Sequence, residues 1–344
     1  MEKVLYYSGR GNHHLAAATL KHLGEYHGKE LVFSHVDIAE YTDEECDDKF
    51  PHYEEIENRT VVYFQSIYNR ELLEEALEAI WALKRQYKAK YLIAVIAFLI
   101  FRRQDHEEKL DEVCRLRMVI DRLKHAGVDE IITVSPHSPK MKQFCDEYGI
   151  VMRELDPSPL FSSAIKTYLD EIPEIYAPDK GSIVRAIGLA KLTGSRVIFS
   201  LKERGLNNAI TIKAEDELEI TELIKYYQAN FNFPDIAYAD IEHIKDQAIV
   251  VTEDEVCTGE TANSTGERLK ELGSRLIIFL AMHPVLVRSW RRKLFDNNPF
   301  DKILMGNTIP RDYSKRTGGK IHDIFVEESL AQILYKSLQQ LVKK

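Results

Sequence analysis

The residues best suited to chemistry lie in one stretch, Ile249 to Ser264. A β-branched run is followed by three acids, Glu253 to Glu255, and a Thr258-Gly259 turn then opens a helical pattern. This order predicts a buried strand, a charged loop at its carboxyl end and a helix whose first backbone N–H groups can hold an anion. The acids could hold ribose hydroxyls or a metal ion, and the turn could hold phosphate. An ordinary strand-turn-helix corner with a solvated acidic cluster fits the same pattern.

The composition is that of a globular protein with room for two domains. The chain has 344 residues, of which 44% are hydrophobic and 29% are charged. Its formal charge is -9, from 55 acids and 46 bases, which argues against a broad nucleic-acid-binding surface as the main function and leaves room for local basic patches. We therefore expect no nucleic-acid partner.

Cysteine spacing and hydropathy indicate a reducing, aqueous environment. The four cysteines lie far apart and form no C-x-x-C pair, which predicts neither a zinc site nor a disulfide framework. We find no leader-like segment at the start of the chain and no run near the ~18 apolar residues that span a bilayer. We expect a cytoplasmic protein without a membrane partner.

Predicted strands and helices alternate along the chain. In the first half, strands are predicted at residues 4–7, 60–66, 91–101 and 130–134, with helices from residue 13 and at 71–87 and 113–126. In the second half, strands are predicted at 174–177, 196–200, 249–252 and 276–282, with helices at 160–171 and 327–342. Alternation of this kind predicts an α/β fold with parallel sheets and working loops at the carboxyl ends of the strands.

Gly9 and Gly11 precede the first helix and could suggest a dinucleotide fingerprint. The third glycine and the acidic residue after a second strand are missing. A dinucleotide site is therefore disfavoured.

Several short motifs occur in the order of one known family. They are Phe50-Pro51 with Glu54, Arg103-Gln104-Asp105 followed by His106, His137, the pair Lys202 and Arg204, His283, and Asn307 to Pro310. Together with the opening stretch they resemble the motifs of ribose-phosphate pyrophosphokinases over nearly the whole chain. The resemblance implies two type I phosphoribosyltransferase-like domains, each a mainly parallel sheet flanked by helices.

The resemblance also implies domain boundaries. We expect an N-terminal, ATP-binding domain at residues 1–155, joined by the C-terminal helix at 325–344. We expect a sugar-phosphate domain at residues 156–324, with an insertion near 212–241 that carries several aromatic side chains.

The implied reaction transfers the diphosphoryl group of ATP to the C1 hydroxyl of a ribose 5-phosphate unit, with Mg²⁺. Cations must surround the charge that develops on the transferred group. The expected catalytic residues are Lys202, Arg204 and His137, and His137 and Asp179 are the expected metal ligands. The expected ATP-binding residues are Phe50, Glu54, Arg103, Gln104 and Asp105. The expected sugar-phosphate residues are Asp179, Glu253, Asp254, Thr258, Gly259 and Thr261.

Departures from the family pattern leave the acceptor open. Glu260 stands where the family has a second glycine, and a carboxylate there should repel a bound phosphate. Lys180 and Ser182 alter a second loop. The acceptor could be ribose 5-phosphate or a larger molecule that contains it, such as ADP-ribose.

Two other functions fit part of the pattern. A non-catalytic partner of a true synthetase would keep the fold and bind nucleotide, although retention of Lys202 and Arg204 argues against it. A phosphoribosyltransferase proper would lack the Arg103-Gln104-Asp105 motif and that cationic pair. The family's adenine site is completed across a dimer interface, so we expect a homodimer or a higher homo-oligomer.

Overall fold

The computed structural model describes residues 3–42, 46–107, 111–178, 180–199 and 241–342. The chain divides into two compact units. Unit 1 contains Met1–Asp156, Asn307–Pro310 and Phe325–Lys344. Unit 2 contains Pro157–Gly306 and Arg311–Ile324.

The described strands and helices are numbered in chain order. The strands are β1 (Leu5–Ser8), β2 (Ser34–His35), β3 (Asp37–Glu40), β4 (Cys46–Lys49), β5 (Thr60–Phe64), β6 (Tyr91–Ile96), β7 (Glu130–Val134), β8 (Val151–Leu155), β9 (Glu174–Ala177), β10 (Val197–Phe199), β11 (Ala248–Val256), β12 (Leu276–Pro284), β13 (Lys302–Gly306) and β14 (Ile321–Ile324). The helices are α1 (His13–His27), α2 (Arg70–Trp81), α3 (Arg115–Ala126), α4 (Lys140–Glu147), α5 (Ser158–Tyr168), α6 (Ile183–Thr193), α7 (Glu260–Glu271), α8 (Tyr313–Arg316) and α9 (Glu327–Val342).

Each unit is built on a six-stranded parallel sheet. The strand order is β2-β1-β5-β6-β7-β8 in unit 1 and β10-β9-β11-β12-β13-β14 in unit 2. The two orders are equivalent, because β1 corresponds to β9 and β5 corresponds to β11. In unit 1 the chain segment that connects β2 to β5 also forms a separate antiparallel hairpin of β3 and β4. Parallel strands bring their carboxyl ends to one edge of the sheet, where the following loops meet.

The central strands form because their sequences are apolar on both faces. All five residues of β5 and all five of β7 are buried, as expected for parallel strands covered by helices on both sides. The prediction for residues 91–101 was too long, since β6 ends at Ile96. The chain then leaves the ladder, with one bridge from Leu99 to Ile67 and a left-handed backbone at Phe101 (φ 67°). This bend brings the Arg103 motif to the carboxyl edge of the sheet.

The helix predicted at residues 71–87 consists of two parts. Asn69 accepts a hydrogen bond from the Leu72 backbone N–H at 2.8 Å and caps α2, which ends at Trp81. A π-helical turn, Ala82–Gln86, continues the chain. The wider turn alters the helical period that the sequence pattern assumed.

The C-terminal helix α9 packs in unit 1. Glu130 of β7 is 1% exposed and accepts hydrogen bonds from Ser337 Oγ of α9 and from Arg153 Nε, both at 2.6 Å. The Tyr335 ring lies 5.4 Å from the Tyr26 ring of α1. A buried carboxylate that is fully paired fixes the position of this helix.

The segment Asn307–Pro310 also bonds within unit 1. Asn12 Nδ2 donates to the Asn307 carbonyl at 3.1 Å, and Ser66 Oγ donates to the Thr308 carbonyl at 2.7 Å. The Asn307 side chain donates to Glu327 at 2.7 Å. The family-like motif in this segment therefore has a structural role that these contacts explain.

Three histidine rings cluster at the carboxyl end of β1 and β2. The His13 ring lies 3.8 Å from the His14 ring and 5.0 Å from the His35 ring, measured between centroids. Burial and then its two neighbours lower the pKa of His13. Protonation of His13 is therefore disfavoured in the folded protein.

None of the helices in the described part of the chain is both long enough and apolar enough to cross a membrane.

Candidate functional site

The three acids of the opening stretch belong to β11 itself. The strand continues to Val256, with Glu253 opposite Ala281 and Glu255 opposite His283 on β12. The sequence placed these acids in a loop after the strand, and this placement was wrong. Main-chain pairing with β12 extends the strand past the point where its apolar pattern ends.

Successive side chains of β11 lie on opposite faces of the sheet, so neighbouring acids have different surroundings. Asp254 is 6% exposed, whereas Glu253 is half-buried. Arg185 of α6 holds this end of the strand, with NH2 3.7 Å from Asp254 Oδ1 and NH1 donating to the Thr252 carbonyl at 3.3 Å. The nearby guanidinium keeps the Asp254 carboxylate oriented.

The turn after β11 has the geometry of an anion-binding loop. Gly259 has φ 77°, and a Cβ at this position would lie 2.8 Å from Leu294 Cγ. Both the backbone and the packing therefore require glycine. The helix α7 begins at Glu260, so the first N–H groups of the helix lie beside Thr258 and Thr261, whose side chains are half-buried and exposed, respectively.

Glu260 is paired with a lysine. Lys293 Nζ donates to Glu260 Oε1 at 2.9 Å, and the Glu260 side chain is 66% exposed. The lysine lies on a π-helical turn, Arg292–Asp296, that packs against the first turn of α7. A cation therefore compensates the carboxylate that stands where the resemblance implies a second glycine.

A buried amide fixes the Lys293 turn to α7. Asn263 is 3% exposed, and its Nδ2 donates to the carbonyls of Lys293 at 3.0 Å and of Asn297 at 2.8 Å. Sequence reasoning missed Arg185, Asn263 and Lys293. The available signal was weak, because each is a single polar residue within an amphipathic or charged segment and its partner is distant in sequence.

In unit 1, the loops after β6 and β7 meet at Asp105. Asp105 is 6% exposed and accepts hydrogen bonds from Ser138 Oγ and from His106 Nδ1, the latter at 2.6 Å. Burial alone would raise the pKa of the Asp105 carboxyl, but these two hydrogen bonds and the charges of His106 and then His137 outweigh burial, and the pKa is lowered. Asp105 is thus an ionised carboxylate in a buried polar cluster.

The neighbours of Asp105 point to an accessible site around it. Arg103, Gln104 and His137 are exposed. Arg102 is buried, and its NH1 donates to the Ser135 carbonyl at 2.6 Å, which fastens the first loop to the second. Three of the predicted ATP-binding residues and the predicted catalytic histidine are therefore brought to the same edge of the unit 1 sheet.

Phe50 lies in the core of unit 1. It is 5% exposed, and its ring lies 5.5 Å from the Tyr87 ring and 6.1 Å from the Tyr7 ring. The Phe50 ring is therefore almost entirely covered by its neighbours. Glu54, in the 3-10 turn Tyr53–Glu55, is exposed.

Three predicted site residues, Asp179, Lys202 and Arg204, lie outside the described residues, as does nearly all of the predicted insertion at 212–241. Ser182 lies at the start of α6 and is 1% exposed. His283, from the family-like motif on β12, is fully buried.

The described residues contain no group of three His, Cys, Asp or Glu side chains that could hold a metal ion. Mg²⁺ is usually bound by one or two carboxylates together with substrate phosphates, and it prefers oxygen ligands. The ionised Asp105 beside His137 fits an ion that arrives with a nucleotide. Asp105 and His137 alone would not supply all the ligands of a Mg²⁺ ion.

Comparisons with known proteins agree with this architecture. Residues 4–127 match the model of the N-terminal domain of ribose phosphate pyrophosphokinase. A ribose-phosphate pyrophosphokinase of Ralstonia nicotianae is 24% identical, over 99% of this chain and 96% of the relative. That of Xanthomonas campestris pv. campestris is 26% identical, over 97% and 94%.

A solved structure shows the same fold. The crystal structure of phosphoribosylpyrophosphate synthetase from Mycobacterium smegmatis superposes with a TM-score of 0.79 at 21% sequence identity, covering 98% of this chain and all of the other. The expected fold, α/β with two type I phosphoribosyltransferase-like domains, is confirmed. Residues 4–127 thus match the N-terminal domain of ribose phosphate pyrophosphokinases, and nearly the whole chain is similar to curated ribose-phosphate pyrophosphokinases at low identity.

Proposed function

We propose that this protein transfers the diphosphoryl group of ATP to the C1 hydroxyl of ribose 5-phosphate, giving AMP and a ribosyl 1-pyrophosphate. The observation that carries the proposal is the end of β11, where three acids precede a glycine-dependent turn at a helix N-terminus. The names of the relatives support a diphosphotransferase.

In this proposal unit 2 binds the sugar phosphate. The backbone N–H groups of the Gly259 turn and the hydroxyls of Thr258 and Thr261 hold the 5-phosphate. Glu253 and Asp254 accept hydrogen bonds from ribose hydroxyls, and Arg185 keeps Asp254 in place. Orientation of the sugar by fixed groups is the main way in which such a site lowers the barrier.

Unit 1 binds ATP in the same proposal. Arg103 contacts the phosphates, Gln104 hydrogen-bonds the adenine, and Glu54 supplies a further polar contact. Stacking of Phe50 on adenine, which the sequence predicted, would require the ring to leave its packing against Tyr87. The proposal therefore depends more on Arg103 and Gln104 than on Phe50.

The transferred group needs positive charge around it. Lys202 and Arg204 are the proposed cations that stabilise the developing charge. Mg²⁺ would neutralise the triphosphate when bound, with the expected ligands His137 and Asp179 and with Asp105 as a further proposed carboxylate. Asp105 also orients the neighbouring side chains through its hydrogen bonds to Ser138 and His106.

The ion pair between Lys293 and Glu260 favours ribose 5-phosphate as the acceptor. Repulsion by Glu260 was the main reason to consider ADP-ribose, in which each phosphate has one ester and one anhydride bond and therefore carries less charge than a monoester. Because Lys293 compensates Glu260, a phosphate monoester no longer meets an isolated carboxylate. We keep ADP-ribose as the second acceptor to test.

One incubation series tests the proposal. The protein is mixed with ATP, Mg²⁺ and either ribose 5-phosphate or ADP-ribose, and AMP is measured over time. AMP that requires ribose 5-phosphate supports the proposal, and AMP only with ADP-ribose would assign the larger acceptor. ATP binding without AMP from either acceptor would indicate the non-catalytic function.

Assembly is a further part of the proposal. We propose a homodimer or a higher homo-oligomer, as the family resemblance implies. Light scattering coupled to size-exclusion chromatography measures the mass directly, and a mass near 39.8 kDa at all concentrations would contradict it.

A further inference from the structure

Two segments of unit 2 carry an unusual concentration of positive charge. They are residues 288–297, which follow β12, and residues 311–320, which precede β14. Six of their cations are exposed, and we call these six the basic surface: Arg288, Arg291, Arg292, Lys315, Arg316 and Lys320. The two segments contain only two acids, Asp296 and Asp312, within a chain whose formal charge is -9.

Side-chain contacts hold the two segments together. Arg291 NH1 donates to the Arg316 carbonyl at 3.0 Å. The Arg316 guanidinium lies 5.2 Å from the centroid of the Trp290 ring, and Arg291 lies 4.6 Å from that of Phe295. Lys320 Nζ lies 4.5 Å from the same Phe295 ring. Two rings thus gather three cations from both segments.

This arrangement differs from an ordinary solvated charged face. Exposed cations usually alternate with acids, which lowers their mutual repulsion. Within the described ranges, no carboxylate lies within ion-pair distance of the six cations of the basic surface. The six cations therefore repel one another in the free protein, and binding of an extended anion would relieve this repulsion.

The residues of the basic surface favour a nucleic acid over an acidic protein as its partner. A protein interface normally has an apolar or aromatic centre. Here the central Trp290 is 4% exposed, and guanidinium and ammonium groups lie over the rings. Nucleic-acid interfaces are more polar and more positively charged, and arginine matches phosphate geometry.

We infer that the basic surface binds the phosphate backbone of a nucleic acid without reading its sequence. Its partner is single-stranded or duplex RNA or DNA, recognised through charge. This binding is additional to the proposed enzyme reaction and does not depend on it. Because the protein as a whole is acidic, we expect nucleic acid to bind at the basic surface and to be repelled elsewhere.

The test uses the full-length protein and a fluorescein-labelled uridine 20-mer, with binding followed by anisotropy at several salt concentrations. The wild-type protein is expected to bind with an affinity that falls steeply as salt rises. Removing two contacts by Arg292→Gln with Lys315→Gln is expected to lower the magnitude of the log–log salt slope by about 1.4. Affinity at low salt should fall at least about 10-fold.

The matched control removes two exposed lysines of unit 1, by Lys21→Gln with Lys336→Gln. It makes the same change in net charge and should alter affinity less than about 2-fold. Equal losses in the two double variants would overturn the inference, because binding would then follow net charge alone. Absence of salt-dependent binding by the wild type would also overturn it.

A competition experiment separates nucleic acid from acidic protein. Polyglutamate of matched charge should displace the 20-mer only weakly. Displacement as effective as that by unlabelled 20-mer would assign the surface to an acidic protein segment and refute the nucleic-acid assignment. Circular dichroism of both double variants verifies that they remain folded.

Discussion

The pairing of Glu260 with Lys293 leads to a prediction about acceptor binding. In the wild type the charges of Glu260 and Lys293 nearly cancel beside the Gly259 turn, the proposed phosphate site. Glu260→Gln leaves Lys293 as an uncompensated cation, so KM for ribose 5-phosphate should fall. Lys293→Met leaves Glu260 as an uncompensated anion, so KM should rise. The double variant should lie close to the wild type, because the turn is again neutral.

The geometry sets the size of these effects. Two unit charges separated by 2.9 Å interact by about 1.4 kcal/mol in bulk water. The Glu260 side chain is 66% exposed, and exposed pairs keep only about 0.2–1 kcal/mol after solvent screening and side-chain ordering. The charge left uncompensated in each single variant should act on the bound phosphate with a similar screened energy of about 0.2–1 kcal/mol. Each single variant should then change KM by about 1.5- to 5-fold, with little change in kcat.

Initial rates of AMP formation across a range of ribose 5-phosphate concentrations measure the effect. Glu267→Gln is the matched control, since it removes the same charge from an exposed position further along α7. If Glu267→Gln and Glu260→Gln change KM equally, the pair has no specific role at the turn. An unchanged KM in Lys293→Met would refute the reasoning in the same way.

Three further changes test the packing and the titration of the fold. Asn263→Ala removes two hydrogen bonds that fix a π-helical turn to α7, and it should lower the free energy of unfolding by about 1–3 kcal/mol in a urea titration. Glu130→Ala leaves Arg153 without its buried partner and releases Ser337 of α9, so it should cost about 3–5 kcal/mol in the same titration, and an unchanged midpoint would contradict the proposed anchoring of α9. The lowered pKa of His13 means that the unfolded chain takes up the proton more readily, so wild-type stability should fall as pH decreases through about 6.5. His13→Gln should reduce this fall in Tm, and an identical pH dependence would exclude the histidine cluster as its source.

The alternating α/β pattern was predictable because strands and helices have different periods. The limits of β7, β9 and α9 follow directly from their apolar residues. The ends of β6 and β11 did not follow, since the neighbouring strand decides how far a ladder continues. At β6 the chain leaves the ladder while it is still apolar, and at β11 it remains paired through three acids.

The candidate site was predictable in its residue types and less so in its contacts. The glycine at 259 follows from the turn, and its left-handed backbone agrees with that reasoning. The compensation of Glu260 could not be foreseen, because Lys293 is distant in sequence and reaches it through a turn that Asn263 positions. The burial of Phe50 also depends on Tyr7 and Tyr87, which no local pattern connects to it.

The most direct test of the proposed reaction follows the label from ATP marked at its γ-phosphorus. With ribose 5-phosphate and Mg²⁺, we expect AMP and a sugar product that carries the label in a 1-pyrophosphate group, in equal amounts. Lys202→Ala should abolish this product while ATP binding is nearly unchanged, because its interaction strengthens in the transition state. Formation of ADP with a labelled sugar bisphosphate, or no labelled sugar product at all, would contradict diphosphoryl transfer to ribose 5-phosphate.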